Sequence, residues 1–348
     1  MLERESDLAF AQTTTGVFDT AHRKRVSQQL SLSMRALSGC SRWSAYLGVR
    51  RFGQVVADRR VCTPRVRHEL THYNSRMTPE MLDKLDRYRA EMVRRNIPSG
   101  VVEQWIGAAL PCATLTLDGD GPVVGRYGGP LLLPPGAPDP EFPFVASLNC
   151  ADLPEKVTGL PLPPDGRLLL FAFPDLDGGG QVMYVPEGAA VEERVITFEY
   201  YDEDPDCLEI SSQYPQGELR MATNVSLPFH SSKAKATDHG WRGEDLPWAP
   251  YASIHSDLWN VVDGRDFPRG GWVQVGGYAL EECMDVNPVE SAALSSDETW
   301  DIEDWVLLAD WNPSIEGREG FSLHWAIRRQ ELAARRFERV SESMHWNP

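Results

Sequence analysis

The chain has 348 residues, 42% of them hydrophobic, and a formal net charge of −17, so it holds enough apolar material to bury a sizeable core. A charge this negative argues against nucleic acid as a partner of the main body, because phosphates would be repelled. The six cysteines lie far apart without a C-x-x-C pair, which favours reduced thiols over a zinc ribbon or a disulfide framework. The longest apolar runs fall short of the roughly 20 residues of a membrane helix, and the N-terminal residues lack the apolar core of a signal peptide. We therefore expect a cytoplasmic protein that contacts no membrane.

The charge is unevenly distributed along the chain. Residues 1–76 carry 13 Lys and Arg against 6 Asp and Glu, which leaves 21 basic and 45 acidic residues, of totals of 34 and 51, for residues 77–348. The first segment shows little sustained periodicity, so we interpret it as a poorly ordered basic extension or as a misplaced start of the native protein. We interpret residues 77–348 as a single domain. Its negative charge favours a basic protein as partner.

Two helices are predicted at the start of this domain. Thr78 can cap a helix that has Pro79 at its first position, and Pro98 ends that helix. Ser99 then opens a second helix. Apolar residues recur at spacings of three and four in the first helix and predict one buried stripe: Leu82, Leu85, Tyr88 and Met92.

From Cys112 onward, short apolar segments alternate with Gly- and Pro-rich turns, a pattern typical of a predominantly β architecture. The predicted strands are 112–118, 144–150, 167–173, 181–186, 194–201, 272–279, 304–311 and 321–328, and a last helix is predicted over 328–337. The fold class predicted is α+β and predominantly β, with a helix pair that leads into twisted, mostly antiparallel sheets.

Four segments stand out by their order and spacing. They are GPVVGRYGGPLLLPPGAPDPEFPFVASLNCADLP at 121–154, LPPDGRLLLFAFPD at 162–175, VQVGGYALE at 273–281, and the closing pair DWVLLADWNPS and FSLHWAIRRQELAARRFERV. Over residues 77–342 the chain resembles the YwqG-like family of bacterial proteins, a domain of unknown function. The resemblance implies the YwqG-like roll as the fold. Because relatives occur in gene neighbourhoods with secreted toxins, it also implies an immunity-type or other protein-recognition role.

The sequence departs from that family's pattern just before Gly276 and Gly277. The family usually has a histidine there, where this chain has Trp272, Val273 and Gln274. If the polar residues of relatives line a ligand site, that site is altered here. The resemblance therefore supports the fold more strongly than any transferred function.

The segment RHELTH places His68, Glu69 and His72 in the H-E-x-x-H spacing of zinc metalloproteases. A helix there would be short and would have few apolar residues to bury, and the resemblance begins only at residue 77. We therefore interpret the match as chance and expect no metal or other cofactor. A zinc site at these three residues is the least favoured version of an enzymatic function.

The Gly-rich run at 119–129 is interpreted as turns, since it lacks the Lys and Ser or Thr of a phosphate-binding loop. Arg126 is the one basic residue in it and a candidate anion contact, although a surface or salt-bridged arginine also explains it. An acidic cluster, which includes Asp202 and Asp204, is interpreted as a solvated loop that is able to attract a basic partner.

Nine of the eleven tryptophans fall between Trp241 and Trp346. They fit either core packing or a recognition surface, where Trp is enriched. The candidate binding residues are Trp272, Trp311, His324 and Trp325. Since successive side chains of a strand point to opposite faces, His324 and Trp325 cannot line the same surface.

These observations predict a non-enzymatic binding protein that recognises a protein partner through an acidic, Trp-rich surface. The alternatives are a hydrolase that uses the histidines and carboxylates of the second half, and a small-molecule-binding protein with its site between the sheets. The oligomeric state stays open.

Overall fold

A computed structural model describes most of the chain beyond residue 76. The described residues are 77–175, 179–230, 232–237, 240–251, 254, 262, 268–279, 287–296 and 302–346. All of them belong to one structural unit, Cys62–Pro348. The predicted basic extension at 1–76 and the H-E-x-x-H segment within it lie outside the described residues.

The predicted helix pair is confirmed as α1 (Pro79–Arg94) and α2 (Ser99–Gly107). The Thr78 side chain accepts a hydrogen bond from the Met81 backbone nitrogen at 3.4 Å, and Pro79 occupies the first helical position. The buried stripe agrees with the prediction at three of its four positions. Met81 rather than Leu82 joins Leu85, Tyr88 and Met92 in the core, whereas Leu82 is only half-buried.

Fourteen strands lie in the described part of the chain. In chain order they are β1 (Leu110–Thr116), β2 (Val123–Tyr127), β3 (Leu131–Leu133), β4 (Phe144–Asn149), β5 (Arg167–Ala172), β6 (Gly180–Val185), β7 (Glu192–Arg194), β8 (Gly217–Ser226), β9 (Ser232–Thr237), β10 (Gly240–Asp245), β11 (Trp272–Gly276), β12 (Trp305–Asn312), β13 (Phe321–Arg328) and β14 (Ser341–Trp346). Ten of them form one sheet in the order β14-β13-β12-β11-β1-β8-β2-β4-β5-β6, while β3 pairs with β7 and β9 with β10. Each of these neighbouring pairs is antiparallel. The predicted fold class, predominantly β with antiparallel sheets, is confirmed.

Five further α-helices in the described part of the chain connect or cover the strands. They are α3 (Glu155–Thr158), α4 (Tyr200–Glu203), α5 (Pro205–Ser212), α6 (Pro288–Ser295) and α7 (Arg329–Ala333). The predicted last helix is shorter than expected, because Arg335 takes a left-handed backbone conformation with φ 59° and ends it.

Two predictions about strands were wrong. Residues 194–201 are not a strand: β7 ends at Arg194, and the following aromatic residues pack on one another instead of joining the sheet, with the Phe198 and Tyr200 rings 5.2 Å apart. The Gly-rich run at 119–129 contains β2, which lies inside the large sheet between β8 and β4. Aromatic composition favoured a strand in the first case, and glycine content hid one in the second.

The large sheet curls until its edge strand β6 reaches β13, so it is nearly closed. The close approach is visible at Gly180, where a Cβ atom would lie 2.5 Å from Trp325 Nε1. Side chains on the inner face form the main core, which includes Tyr127, Leu170, Trp311 and Trp325. We call the opposite side of the sheet the outer face.

Strand β3 packs with Leu169 and Phe171 on the outer face of β5, and helices cover the outer face in two further places. Helices α1 and α2 pack on β8 near Val225, and Trp105 of α2 stacks on Trp248 with ring centroids 5.6 Å apart. Helix α6 packs on β12, β13 and β14, where Ala292 and Ala293 contact Leu307 and Ala326. Along the sheet, β1 and β11 lie between the strands that these two covers contact.

Candidate functional site

A row of polar residues crosses five adjacent strands of the outer face. Direct register partners join Thr114 to Gln274, Gln274 to Asp310, Asp310 to His324, and His324 to Ser343. We call these five residues the polar row. Directly opposite residues of antiparallel strands have Cβ atoms about 5 Å apart on the same face. All five are buried, with exposed fractions of 6% or less, so their polar atoms are removed from bulk water.

Strand alternation explains why polar side chains meet on this face. In β12, Ala309 and Trp311 belong to the main core, so Asp310 between them points to the outer face. In β13, Leu323 and Trp325 place His324 outward in the same way. Both faces of these strands are buried, and the inner face is apolar whereas the outer face carries the polar groups.

Gln274 is the central residue of the polar row. Its Nε2 donates to the carbonyl oxygens of Gly276 at 3.0 Å and Tyr278 at 2.8 Å. Both partners are acceptors, so the nitrogen must be on that side of the amide and Oε1 on the other. Gln274 Oε1 is buried and accepts no hydrogen bond from the protein. A buried acceptor without a donor is rare and calls for a physical explanation.

The turn after β11 fixes Gln274 in place. Gly276 and Gly277 both adopt left-handed backbone conformations, with φ of 76° and 75°, which glycine tolerates best. A Cβ atom on Gly277 would lie 2.8 Å from Ser226 Cβ. The Tyr278 backbone nitrogen donates to Ser226 Oγ at 3.0 Å, and the Tyr278 hydroxyl donates to the Ala108 carbonyl oxygen at 2.8 Å. The Gly-Gly-Tyr motif thus ties β11 to β8 and to the end of α2.

Tyr278 itself is held in the neutral form by its surroundings. Burial raises the pKa of its hydroxyl to about 12, and the nearby Glu290 carboxylate acts in the same direction. A neutral phenol keeps its proton for the bond to Ala108 at ordinary pH. The turn is therefore insensitive to pH below the normal range of tyrosine ionisation.

Asp310, His324 and Ser322 form a second cluster beside Gln274. His324 Nδ1 lies 3.2 Å from Asp310 Oδ1, and His324 Nε2 lies 3.2 Å from Ser322 Oγ. The Nδ1 to Oδ1 distance suits an ion pair, but the angle at Nδ1 is not that of a hydrogen bond. Asn312 Nδ2 donates to Asp310 Oδ1 at 2.9 Å. The Asp310 carboxyl group is thus buried among polar groups, as a buried polar side chain requires.

The order Ser, His, Asp is the one that serine hydrolases use to activate a nucleophile. Ser322 is 3% exposed and His324 fully buried. A substrate carbonyl therefore cannot approach Ser322 Oγ in this conformation, and attack would first require the outer face to be uncovered.

A buried lysine extends the polar row toward α1. Lys84 Nζ donates to Asn224 Oδ1 at 2.6 Å, and Asn224 Nδ2 donates to Thr114 Oγ1 at 3.2 Å. Lys84 is 8% exposed, which is unusual for this residue type. The outer face therefore carries a basic group at the α1 end and a carboxylate, Asp310, farther along the sheet.

The candidate residues named from the sequence lie in different places. Trp311 and Trp325 are fully buried in the main core, and their rings face the inside of the sheet. His324 belongs to the polar row, on the opposite face from Trp325, as strand alternation predicts. Trp272 is half-buried and shares the outer face with Gln274, two residues away on β11. Arg126 is exposed on β2.

The acidic residues of the candidate list lie around two short helices. Asp202 is part of α4. Asp204 is exposed and caps α5, since its Oδ1 accepts a hydrogen bond from the Asp206 backbone nitrogen at 3.0 Å. The segment thus forms helices and not the loop that its composition indicated.

Sequence reasoning missed four residues and treated Gln274 only as a departure from a family pattern. The missed residues are Thr114, Asp310, Ser322 and Ser343. The signal was present in the amino-acid sequences of the strands. Asp310 and Gln274 are single polar residues flanked on both sides by apolar ones, in the segments LLADW and WVQVG. A lone polar residue within an otherwise buried strand points to a polar site on one face.

The described residues hold neither a cluster of metal ligands nor a membrane-spanning helix. They contain no group of three His, Cys, Asp or Glu side chains that could hold a metal ion. Within the same part of the chain, no helix combines the length and apolar character needed to cross a membrane. His68, Glu69 and His72 lie outside the described residues.

The fold and the site define a class: a predominantly β protein whose large, nearly closed antiparallel sheet carries a buried polar row on its outer face. Residues 125–346, well over half of the chain, match the model of a family described as a domain of unknown function (DUF1963). The chain belongs to this family. A comparison with curated proteins found no match. The matched region contains four of the five polar-row residues, and Thr114 alone precedes it.

Proposed function

We propose that this member of the DUF1963 family is a binding protein that holds a small polar ligand at the polar row. One observation carries the proposal: Gln274 Oε1 is a buried acceptor that receives no hydrogen bond from the protein. Leaving such an acceptor unpaired costs about 1–3 kcal/mol. A ligand that donates to it removes that cost, so the free protein is already shaped for a donor.

Rigidity supports the same proposal. The polar-row side chains stand on hydrogen-bonded strands, and Gln274 is further held by the turn at Gly276 and Tyr278. Binding to such fixed groups requires little ordering of the protein, so the ligand loses little affinity to that entropy cost. Small-molecule sites typically use a few fixed polar groups in mostly apolar surroundings.

The resemblance of the family motifs to YwqG-like proteins supports a finer assignment to that group, and it supports a cytoplasmic location. Both assignments are part of the proposal. They are compatible with an intracellular ligand and with the six dispersed cysteines.

The experiment is a ligand search with a matched pair of variants. The purified full chain is analysed by native mass spectrometry for co-purified small molecules, and any candidate is titrated by calorimetry. Gln274→Met removes Oε1 at nearly constant length, whereas Gln330→Met makes the same change at an exposed position of α7. We expect one ligand per chain and at least about tenfold weaker binding in Gln274→Met alone, since a lost buried hydrogen bond costs roughly 1–3 kcal/mol. Equal affinity in both variants would place the ligand elsewhere.

A second candidate function is recognition of a basic protein, of the immunity type that the YwqG-like resemblance suggests. The observation that favours it is the exposure of Asp204, Asp206 and Glu209 at and within α5. Residues 77–348 also carry 45 acidic against 21 basic residues, which speeds capture of a basic partner. Trp311 and Trp325 are buried, so the acidic side chains rather than these rings would carry the contact.

This candidate is tested by affinity capture from a bacterial lysate with the full chain. A basic partner should be retained at low salt and lost from a variant that combines Asp206→Asn with Glu209→Gln, because long-range attraction between exposed charges is screened by salt. If the partner is retained equally at high salt and by the variant, this surface is ruled out.

A further inference from the structure

We infer that the nearly closed sheet opens locally where β6 meets β13, and that Arg318 is the latch that holds this contact shut. We call the contact between β6 (Gly180–Val185) and β13 (Phe321–Arg328) the seam. Neighbouring strands of the large sheet are joined by hydrogen bonds, whereas β6 is the last strand of that order and, among the described strands, pairs with β5 alone. Side chains rather than a backbone ladder therefore close the seam. The inference is independent of the ligand proposed for the polar row.

The first step concerns the start of β6. Gly180 lies against β13, where a Cβ atom on it would lie 2.5 Å from Trp325 Nε1 and 2.8 Å from Leu323 Cδ2. A glycine brings backbone but no side chain to this contact, so it adds little apolar burial of its own. This end of the seam consequently depends on other groups to stay closed.

The second step concerns Arg318, in the turn between β12 and β13. Its Nε donates to the Pro174 carbonyl oxygen at 2.8 Å, and its Nη2 donates to Asp175 Oδ2 at 2.7 Å. Both acceptors belong to the turn that follows β5. The guanidinium also lies over the Trp346 ring of β14, with Cζ 4.7 Å from the ring centroid. Because a planar guanidinium directs its donors, one side chain fixes the turn after β5 against β13 and β14.

The third step concerns a polar group that the closed seam leaves without a partner. Trp325 Nε1 is a buried donor beside Gly180 and makes no hydrogen bond to the protein. An unpaired buried donor raises the free energy of the conformation that buries it. Opening at Gly180 exposes this nitrogen to water and removes that cost, so the closed conformation depends on the latch.

The far end of β6 is held by a different contact, which keeps the opening local. Tyr184 stacks on Phe337 with ring centroids 5.5 Å apart, and Arg335 Cζ lies 5.6 Å from the centroid of the Tyr184 ring. This aromatic contact involves no atom of Arg318. We therefore expect the start of β6 to move away from β13 while Tyr184 stays in contact with Phe337.

The test measures how fast a thiol reagent reaches two buried positions of the full chain. Leu323→Cys places a thiol at the seam, and Leu219→Cys places one on β8, four strands from β13 along the sheet; both leucines are fully buried. Labelling by iodoacetamide without denaturant is followed at each site by mass spectrometry. We expect the thiol at position 323 to react at least about tenfold faster, because local opening requires less free energy than global unfolding. Equal rates overturn the inference, since global unfolding exposes both positions.

A pair of arginine variants tests the latch itself. Arg318→Met removes the guanidinium at nearly constant length, and Arg87→Met removes an arginine that forms an exposed ion pair with Asp83 in α1. Circular dichroism establishes that both are folded. We expect Arg318→Met to speed labelling at position 323 at least about tenfold and to change it less than about twofold at position 219, and Arg87→Met to change neither. No acceleration, or equal acceleration at both positions, overturns the role of Arg318 as a latch.

A milder variant serves if Arg318→Met does not fold. Asp175→Asn removes the charge that faces Arg318 and leaves the hydrogen bond to Pro174 in place. It should speed labelling at position 323 more than at position 219, and equal rates of change at the two positions again overturn the latch. The comparison of the two leucine positions needs no change at Arg318.

Discussion

The Gly-Gly-Tyr turn gives the sharpest test of the structural reasoning, through the variant Gly277→Ala. Gly277 has φ 75°, and an added Cβ atom would lie 2.8 Å from Ser226 Cβ and 2.9 Å from Cys112 Cβ. Ordinary contacts between such carbon atoms are about 3.5–4.0 Å. Both neighbours are Cβ atoms that are fixed by the strands β8 and β1, so neither gives way by rotation of a side chain.

The cost has two parts that a second variant separates. Gly136 has φ 78°, and a Cβ atom there would meet nothing within 4 Å. Gly136→Ala thus bears only the penalty of a left-handed backbone, about 1–2 kcal/mol. Gly277→Ala bears the same penalty plus that of overpacking, typically about 1–3 kcal/mol. We therefore expect a loss of unfolding free energy of about 2–5 kcal/mol at Gly277.

The assay is equilibrium unfolding by urea, followed by tryptophan fluorescence, on the wild type and both variants. Equal losses in the two variants would refute the close packing of the turn against Ser226 and Cys112. Because Gln274 Nε2 donates to Tyr278 O, Gly277→Ala should also weaken ligand binding at the polar row, whereas Gly136→Ala should leave it unchanged.

Three further predictions follow from burial and hydrogen bonding. Trp325→Ala should lower the free energy of unfolding by about 3–5 kcal/mol, because Trp325 is fully buried. Trp272→Ala should lower it less. A larger loss at Trp272 in urea unfolding would contradict the assignment of Trp325 to the main core and of Trp272 to the outer face. Ser322 should resist a fluorophosphonate ester, since its hydroxyl is buried; mass spectrometric detection of a labelled Ser322 would instead establish a nucleophile and a hydrolase. The pKa of Tyr278 is raised to about 12, so the folded protein holds this proton more tightly than the unfolded chain, and stability should fall as the pH rises from about 10 toward 12. Tyr278→Phe should remove part of that fall; an identical pH dependence of unfolding in the variant would refute the contribution of Tyr278.

Local patterns in the sequence were sufficient for most of the individual elements. Thr78 and Pro79 marked the start of α1 because capping and the fixed φ of proline act within one turn. Runs of apolar residues marked β4, β5, β12 and β13 to within two residues. In contrast, residues 194–201 have the composition of a strand, yet their aromatic rings cluster with one another, and β2 was hidden by its glycines.

The polar row shows what these patterns could not supply. The alternation of side chains determines from the sequence alone that Asp310 and Trp311, or His324 and Trp325, lie on opposite faces, because it is a property of a single strand. The register of strands that are far apart in the chain decides which face is the main core. The same register places five polar residues side by side: Thr114, Gln274, Asp310, His324 and Ser343. Register is decided by the packing of whole strands and by turns such as Gly276-Gly277, so only the tertiary structure brings the five residues into one row.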